Sequence, residues 1–383
     1  MKLQQFNSLN DLKNLYNTLV CQIVDKRKVG KKLVGTFCLF VPEEIIFAAG
    51  SDRIILCGGK DDTIFIAEQY LPRNICPLVK SSFGSIVNNG CLGIKSCSHF
   101  GMVDMIVAEN TCDSKKKMYE LLRDYVPTYV IDLPQRPNSP EALKYFLGEL
   151  YKLKDAMEQL TGNTVTVEQL KREIESSNET RKLLHRLYNL RKTDPPPISG
   201  VDILKVIQKQ YFLSTEEFKK SLRMLIYEVK QVRANWTQKP RIMISGCPMS
   251  GGNTKVPEII ESKGGVIVAE ESCTGTRSFW NPVDEGEDPM LALAECYIKI
   301  PCSCMSPNDR RIDNILELTK EFEVEGVVYY TLQFCHGYNI EKYRIQQALK
   351  KAGIPMLAIE TDYSNSDAEQ IGLRMDAFLE MLS

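Results

Sequence analysis

Pro240-Arg241-Ile242-Met243-Ile244-Ser245-Gly246-Cys247-Pro248 decides the fold, because an apolar run that ends in Gly, Cys and Pro reads as a buried strand running out into a turn. Working outward, Gly265 to Glu270, Gly326 to Tyr330 and Ile354 to Glu360 repeat the pattern downstream. Leu33 to Cys38, Arg53 to Cys57, Met105 to Glu109 and Thr128 to Leu133 carry it upstream. Helical stretches such as Lys115 to Tyr125 lie between these runs, and Pro42-Glu43-Glu44-Ile45-Ile46 opens another with Pro and acids in its first turn. Strand, helix, strand at this spacing predicts parallel sheets with helices on both faces.

From Ser139 to Gln238 the pattern changes to long charged segments of helical period, Glu141 to Leu160, Val167 to Asn189 and Thr215 to Ala234, broken by Asp194-Pro195-Pro196-Pro197. The expected architecture is therefore α/β, with two similar doubly wound, flavodoxin-like domains at 1–138 and 239–383. A helical lead precedes the first, and a helical connector at 139–238 joins the two. Strand ends in an open α/β sheet share one edge, so the functional site is expected in the interdomain cleft.

The 383 residues carry 48 basic and 49 acidic side chains, and no basic run exceeds the length of Lys115-Lys116-Lys117. Nucleic acid and anionic membrane are therefore not expected partners. No apolar run approaches the roughly 20 residues that span a bilayer, and Met1 to Phe6 lacks a signal-peptide core, so a cytoplasmic location is expected. In a reducing compartment thirteen cysteines serve as packing groups, metal ligands or redox groups rather than as disulfides.

Seven of them follow apolar runs beside Pro, Gly, Asp or another Cys: Cys76, Cys112, Cys247, Cys273, Cys302, Cys304 and Cys335. Taken singly, each reads as a small buried hydrophobe. Repetition of one context speaks for ligation instead. No C-x-x-C pair is present among them, so a zinc ribbon or thioredoxin motif is not the natural reading, and a zinc site built from Cys302, Cys304 and two others lacks the usual spacing. Cys112 and Cys335 end strands and begin helices, where the helix dipole favours a thiolate. With Cys76 they could hold a [4Fe–4S] cubane by three corners. Two separate cubanes need about eight thiolates and two sharing a sulfide about six. Glycines 246, 251, 252 and 275 let backbone approach a bulky cluster.

Cys38 ends the first strand in the place that Cys247 takes in the second half, and Cys21, Cys57, Cys91, Cys97 and Cys296 read as structural. Gly251-Gly252-Asn253-Thr254-Lys255 lacks phosphate-loop spacing, so ATP binding by this chain is not expected. The candidate proton-transfer groups are His336, beside Cys335, and Glu43 and Glu44 near the first strand's end. Asp113 and Asp367 read as helix caps.

At these motifs the sequence resembles the cluster-bearing large subunit of the 2-hydroxyacyl-CoA dehydratase and benzoyl-CoA reductase superfamily, over nearly the whole chain. Asn74-Ile75-Cys76-Pro77, Thr111-Cys112-Asp113 and Phe334-Cys335 are similar to that family's three cluster cysteines, and Gly35-Thr36-Phe37-Cys38 with Pro42-Glu43-Glu44 to its opening motif. Gly246-Cys247-Pro248, Ser272-Cys273-Thr274-Gly275, Cys302 to Asp309 and Asp362-Tyr363-Ser364 resemble the double-cubane cluster branch. The resemblance implies a homodimer whose subunits each hold an [8Fe–9S] double cubane on six cysteines. Cys76, Cys112 and Cys335 would take one cubane, and three of Cys247, Cys273, Cys302 and Cys304 the other. It also implies a separate ATP-hydrolysing activator with its own [4Fe–4S] cluster and a small-molecule substrate reduced at low potential. Two alternatives stand beside it: a 2-hydroxyacyl-CoA dehydratase subunit with a single [4Fe–4S] cluster, and an electron carrier or cluster scaffold without a substrate.

Overall fold

The structure is a computed structural model that describes residues 6–88, 98–210, 215–232, 240–286 and 288–382. Helix α1 (Asn7–Lys28) leads into β1 (Leu33–Thr36), α2 (Glu43–Ala48), β2 (Asp52–Ile55), α3 (Ile64–Ala67), α4 (Pro77–Val87), β3 (Met105–Glu109), α5 (Asp113–Leu122) and β4 (Thr128–Ile131). Four helices follow, α6 (Ala142–Thr161), α7 (Val167–Asn189), α8 (Gly200–Gln210) and α9 (Thr215–Gln231). The second half runs β5 (Arg241–Gly246), α10 (Lys255–Ser262), β6 (Val266–Glu271), α11 (Pro289–Tyr297), α12 (Asp309–Glu321), β7 (Gly326–Leu332), α13 (His336–Lys351), β8 (Met356–Thr361) and α14 (Ala368–Leu382).

The fold is α/β, with two four-stranded sheets in the orders β2-β1-β3-β4 and β6-β5-β7-β8, every pair parallel. In each, the chain winds first to one side of the central strand and then to the other. The crevices above the carboxyl ends of β1/β3 and β5/β7 are thus switch points, where such sheets bind ligands. Every residue of β5, β6 and β7 is buried, which is why these strands read as continuous apolar runs instead of alternating ones.

Helices α6 to α9 pack on both halves: α6 against β4, α2 and α11, α7 against α2, and α8 against β6. The start of α7 is fixed by a capping box between Thr166 and Gln169, and α6 ends at Gly162 with a φ of 75°. Buried ion pairs bind this layer to each sheet. Arg181 on α7 holds Glu44 on α2 at 2.8 Å, and Arg191 holds Glu270 on β6 at 2.7 Å. Among the described residues no helix is long and apolar enough to cross a membrane.

Candidate functional site

Parallel strands of similar length deliver the residues that follow them to one edge, and here that edge is lined with sulfur. Cys38 follows β1, Cys57 follows β2, Cys112 follows β3, Cys247 follows β5, Cys273 follows β6 and Cys335 follows β7. Cys76, Cys112 and Cys335 are the N-cap residues of α4, α5 and α13, and Cys302 and Cys304 come from the loop between α11 and α12.

The sulfurs meet across the two halves. Cys76 hydrogen-bonds with Cys335, and Cys335 with Cys247. Cys302 pairs with Cys304, and Cys112 lies within electrostatic reach of both Cys76 and Cys302. Cys273 feels Cys302 and Cys57, and Cys38 feels Cys57 and Cys273. The seven cysteines singled out in the sequence thus lie in one chamber, with Cys38 and Cys57 added to its wall, and all are free thiols. Cys296 sits apart on α11, beside a cavity lined by Glu43, Arg53 and Arg181. Cys91, Cys97 and the side chain of Cys21 lie outside the described residues.

Charge divides the chamber into two walls. In the second half Arg277 places a guanidinium nitrogen 3.9 Å from the Cys273 sulfur, donates to Tyr338 at 2.5 Å and pairs with Glu271 at 2.8 Å. Arg311 also pairs with Glu271, at 3.0 Å, and with Glu341. A hydrogen bond from Cys304 and the nearby Arg277 outweigh burial and push the Cys302 thiol down to about 5, whereas burial pushes Cys273 up to about 11.

In the first half Lys115 on α5 donates to the Cys38 sulfur at 2.6 Å. Glu109, the last residue of β3, is fully buried; neither of its oxygens makes a hydrogen bond of ordinary geometry, but the thiol and the backbone N–H of Cys38 lie close enough to favour its charged form. Burial pushes its carboxyl up to about 7 against the opposing pull of Lys115. Nothing in the sequence marked it beyond an acid closing an apolar strand.

The three expected proton-transfer residues take different places. His336 is exposed at the first residue of α13. Glu43 pairs with Arg53 at 2.5 Å, and Glu44 accepts from Arg181 and from the Tyr297 hydroxyl, the latter at 2.7 Å. Asp367 pairs with Lys255 at 2.6 Å, and Asp113 pairs with Lys116 at 2.7 Å on the surface. The cap at α5 is Cys112 itself.

Among the described residues no three Cys, His, Asp or Glu side chains form a group that could hold a single metal ion. The thiols are spread around a chamber instead of gathered at a point, and an all-thiol donor set suits a polynuclear iron–sulfur group by its chemistry. An apolar cavity of about 30 Å³ adjoins them, lined by Phe37, Leu39, Ile55, Pro248, Cys38 and Cys273.

Comparison with known proteins places this chamber in a family. Residues 38–382 match the model of the 2-hydroxyglutaryl-CoA dehydratase D-component. The chain is 38% identical to YjiM of Escherichia coli (strain K12), whose name marks it only as a candidate dehydratase subunit, over 94% of each chain. It is 26% identical to the (R)-phenyllactyl-CoA dehydratase beta subunit of Clostridium sporogenes over 93% of each chain. Against one of the benzoyl-CoA reductase subunits of Thauera aromatica it is 24% identical, over 91% of this chain and 89% of the other. The chain belongs to the 2-hydroxyglutaryl-CoA dehydratase D-component family, whose match runs from Cys38, just after β1, and includes all seven cysteines singled out in the sequence.

Proposed function

We propose that the chain is an iron–sulfur reductase component that carries a double-cubane cluster and reduces a small molecule at low potential. The observation that supports this reading is the nearness of seven cysteines from the two sheets, of which Cys76, Cys247 and Cys302 are buried, Cys273, Cys304 and Cys335 half-buried and Cys112 exposed, more than the three or four that a single cubane uses. Cys76, Cys112 and Cys335 would hold one cubane, and three of Cys247, Cys273, Cys302 and Cys304 the other. Such a group supplies low-potential electrons when bound. The chain's own residues supply the setting: apolar side chains exclude water, and Arg277 and Arg311 set positive charge against the second half's thiols. A cavity of about 30 Å³ favours a small substrate over an acyl-CoA chain. Electrons would come from a separate ATP-hydrolysing activator with its own [4Fe–4S] cluster, and the working unit would be a cytoplasmic homodimer.

A second reading is favoured by the relatives' names. The (R)-phenyllactyl-CoA dehydratase relative is a beta subunit, which points to a hetero-oligomeric acyl-CoA dehydratase with one [4Fe–4S] cluster per chain. Iron, acid-labile sulfide and zinc per chain, measured after purification without oxygen, separate the readings. About eight irons with a slight excess of sulfide support the double cubane, about four support the dehydratase reading, and zinc without sulfide rejects both.

A further inference from the structure

We propose that Glu109 is the proton donor of the chamber, serving the molecule that is reduced there. The inference rests on the reductase reading above and assigns its missing acid. Its starting point is geometric. Thr36 on β1 is in register with Val107 on β3, so Thr36 and Glu109, two residues beyond Val107, lie on the same face of the sheet. Val34 and Val107 on that face pack in one cluster with side chains of α2 and α6 and with Cys302 and Met305 from the loop between α11 and α12. Both Glu109 oxygens and the Thr36 hydroxyl are buried there without a hydrogen bond of ordinary geometry.

A carboxylate in that condition is costly, and buried polar groups are almost always paired. Other buried acids of the molecule obey the rule: Glu44 holds Arg181, Glu270 holds Arg191, and Glu271 holds both Arg277 and Arg311. Lys115 spends its bond on Cys38, so it acts on Glu109 only through space. The charged and titratable groups around it are Lys115 and Tyr119 from α5, Cys38 after β1, which is also its nearest donor, Cys57 after β2, and Cys302 and Cys304 from the loop between α11 and α12.

The step balances simply. One electron from a low-potential one-electron donor outside the chain and one proton from Glu109 add to the substrate, the O–H bond breaking as a C–H or N–H bond forms. The carboxylate left behind faces the Lys115 ammonium and regains a proton from water. Two such steps replace one π bond by two new bonds to hydrogen.

The test compares the full chain with its Glu109→Gln and Glu109→Asp variants, purified without oxygen. Iron per chain should be unchanged in both. The wild-type midpoint potential, followed by electron paramagnetic resonance at about pH 6 and about pH 8, should become more negative with pH, and Glu109→Gln should flatten that dependence while Glu109→Asp keeps it. Acetylene, a two-carbon probe chosen for the size of the cavity, should be reduced about 10²–10⁴-fold more slowly by Glu109→Gln. A Gln variant that keeps the wild-type pH dependence overturns the assignment, as does one that loses its iron, which would make Glu109 a support of the site. If wild-type protein binds iron but ignores acetylene, the potentials alone decide. Wild-type protein without iron overturns the reductase reading, and Glu109 with it, before any variant is made.

Discussion

The two switch points have the same topology and opposite electrostatics. Above β5 and β7 the buried charges are matched: Glu271 is shared by Arg277 and Arg311, Arg311 also reaches Glu341, and two tyrosines stack on the guanidinium groups. Above β1 and β3 the matching fails, because Lys115 is bonded to a thiol and Glu109 to no cation. Duplicated architecture therefore does not mean duplicated work. The second half offers a rigid, prepaired wall for anionic ligands, and the first offers groups whose protons can move.

The largest effect should come from the cysteines. Replacing Cys273 or Cys304 by Ser should remove about half the iron, since each would serve only one of two cubanes, whereas Cys38→Ser should retain it. Full iron in both of the first two variants would break the double-cubane reading. The next contrast is between cations. Arg311→Met leaves Glu271 with Arg277 alone and takes the cation from Glu341, and should cost up to about 3–5 kcal/mol in urea unfolding. Lys115→Met should cost less, because its partner Cys38 can take up a proton and become a neutral buried thiol. Equal losses would mean that the two walls are not different in kind.

Glycines give a third matched pair. Gly246 has a φ of 137°, and a Cβ there would lie 1.9 Å from the Tyr330 carbonyl oxygen, a backbone atom that β7 holds in place. At Gly35 the Cβ would meet Leu56 Cδ1 at 2.4 Å, the end of a side chain that can turn aside. Gly246→Ala should thus cost at least about 1–3 kcal/mol from backbone strain, and Gly35→Ala less, as thermal unfolding would report. The Gly246 turn is what aims Cys247 at Cys335.

Much of this was legible in the chain. All eight strands lie within or beside the apolar runs read from the sequence, and the signal is most continuous in β5, β6 and β7, which are covered on both faces. The helix from Val167 to Asn189 was readable from its period, while its Thr166–Gln169 capping box came only with the structure. The cysteines were readable as a set because their contexts repeat. Pairing was not readable: Glu43 and Glu44 look available until Arg53 and Arg181, distant in sequence, are brought against them. His336 is exposed at the start of α13, directly after Cys335. Glu109 needs the register between β1 and β3 before its isolation can be seen.

The smallest effect concerns an acid of the second half that is matched by backbone instead of by a cation. Glu261 on α10 accepts from the Gly200 amide at 2.6 Å, yet burial pushes its carboxyl up to about 7. The folded chain therefore holds this proton more tightly than the unfolded chain does. Its contribution to stability is full below the ordinary carboxylate range and is lost as pH rises to about 7, because above that range the folded state must carry a charge that burial disfavours. Glu261→Gln keeps an oxygen to accept from Gly200 and has no charge to bury. Urea unfolding of the variant at pH values on either side of that window should show a smaller fall in stability than the wild type. An equal fall would mean that the Gly200 amide satisfies the carboxylate fully, and that matching by backbone in the second half is as complete as matching by arginine.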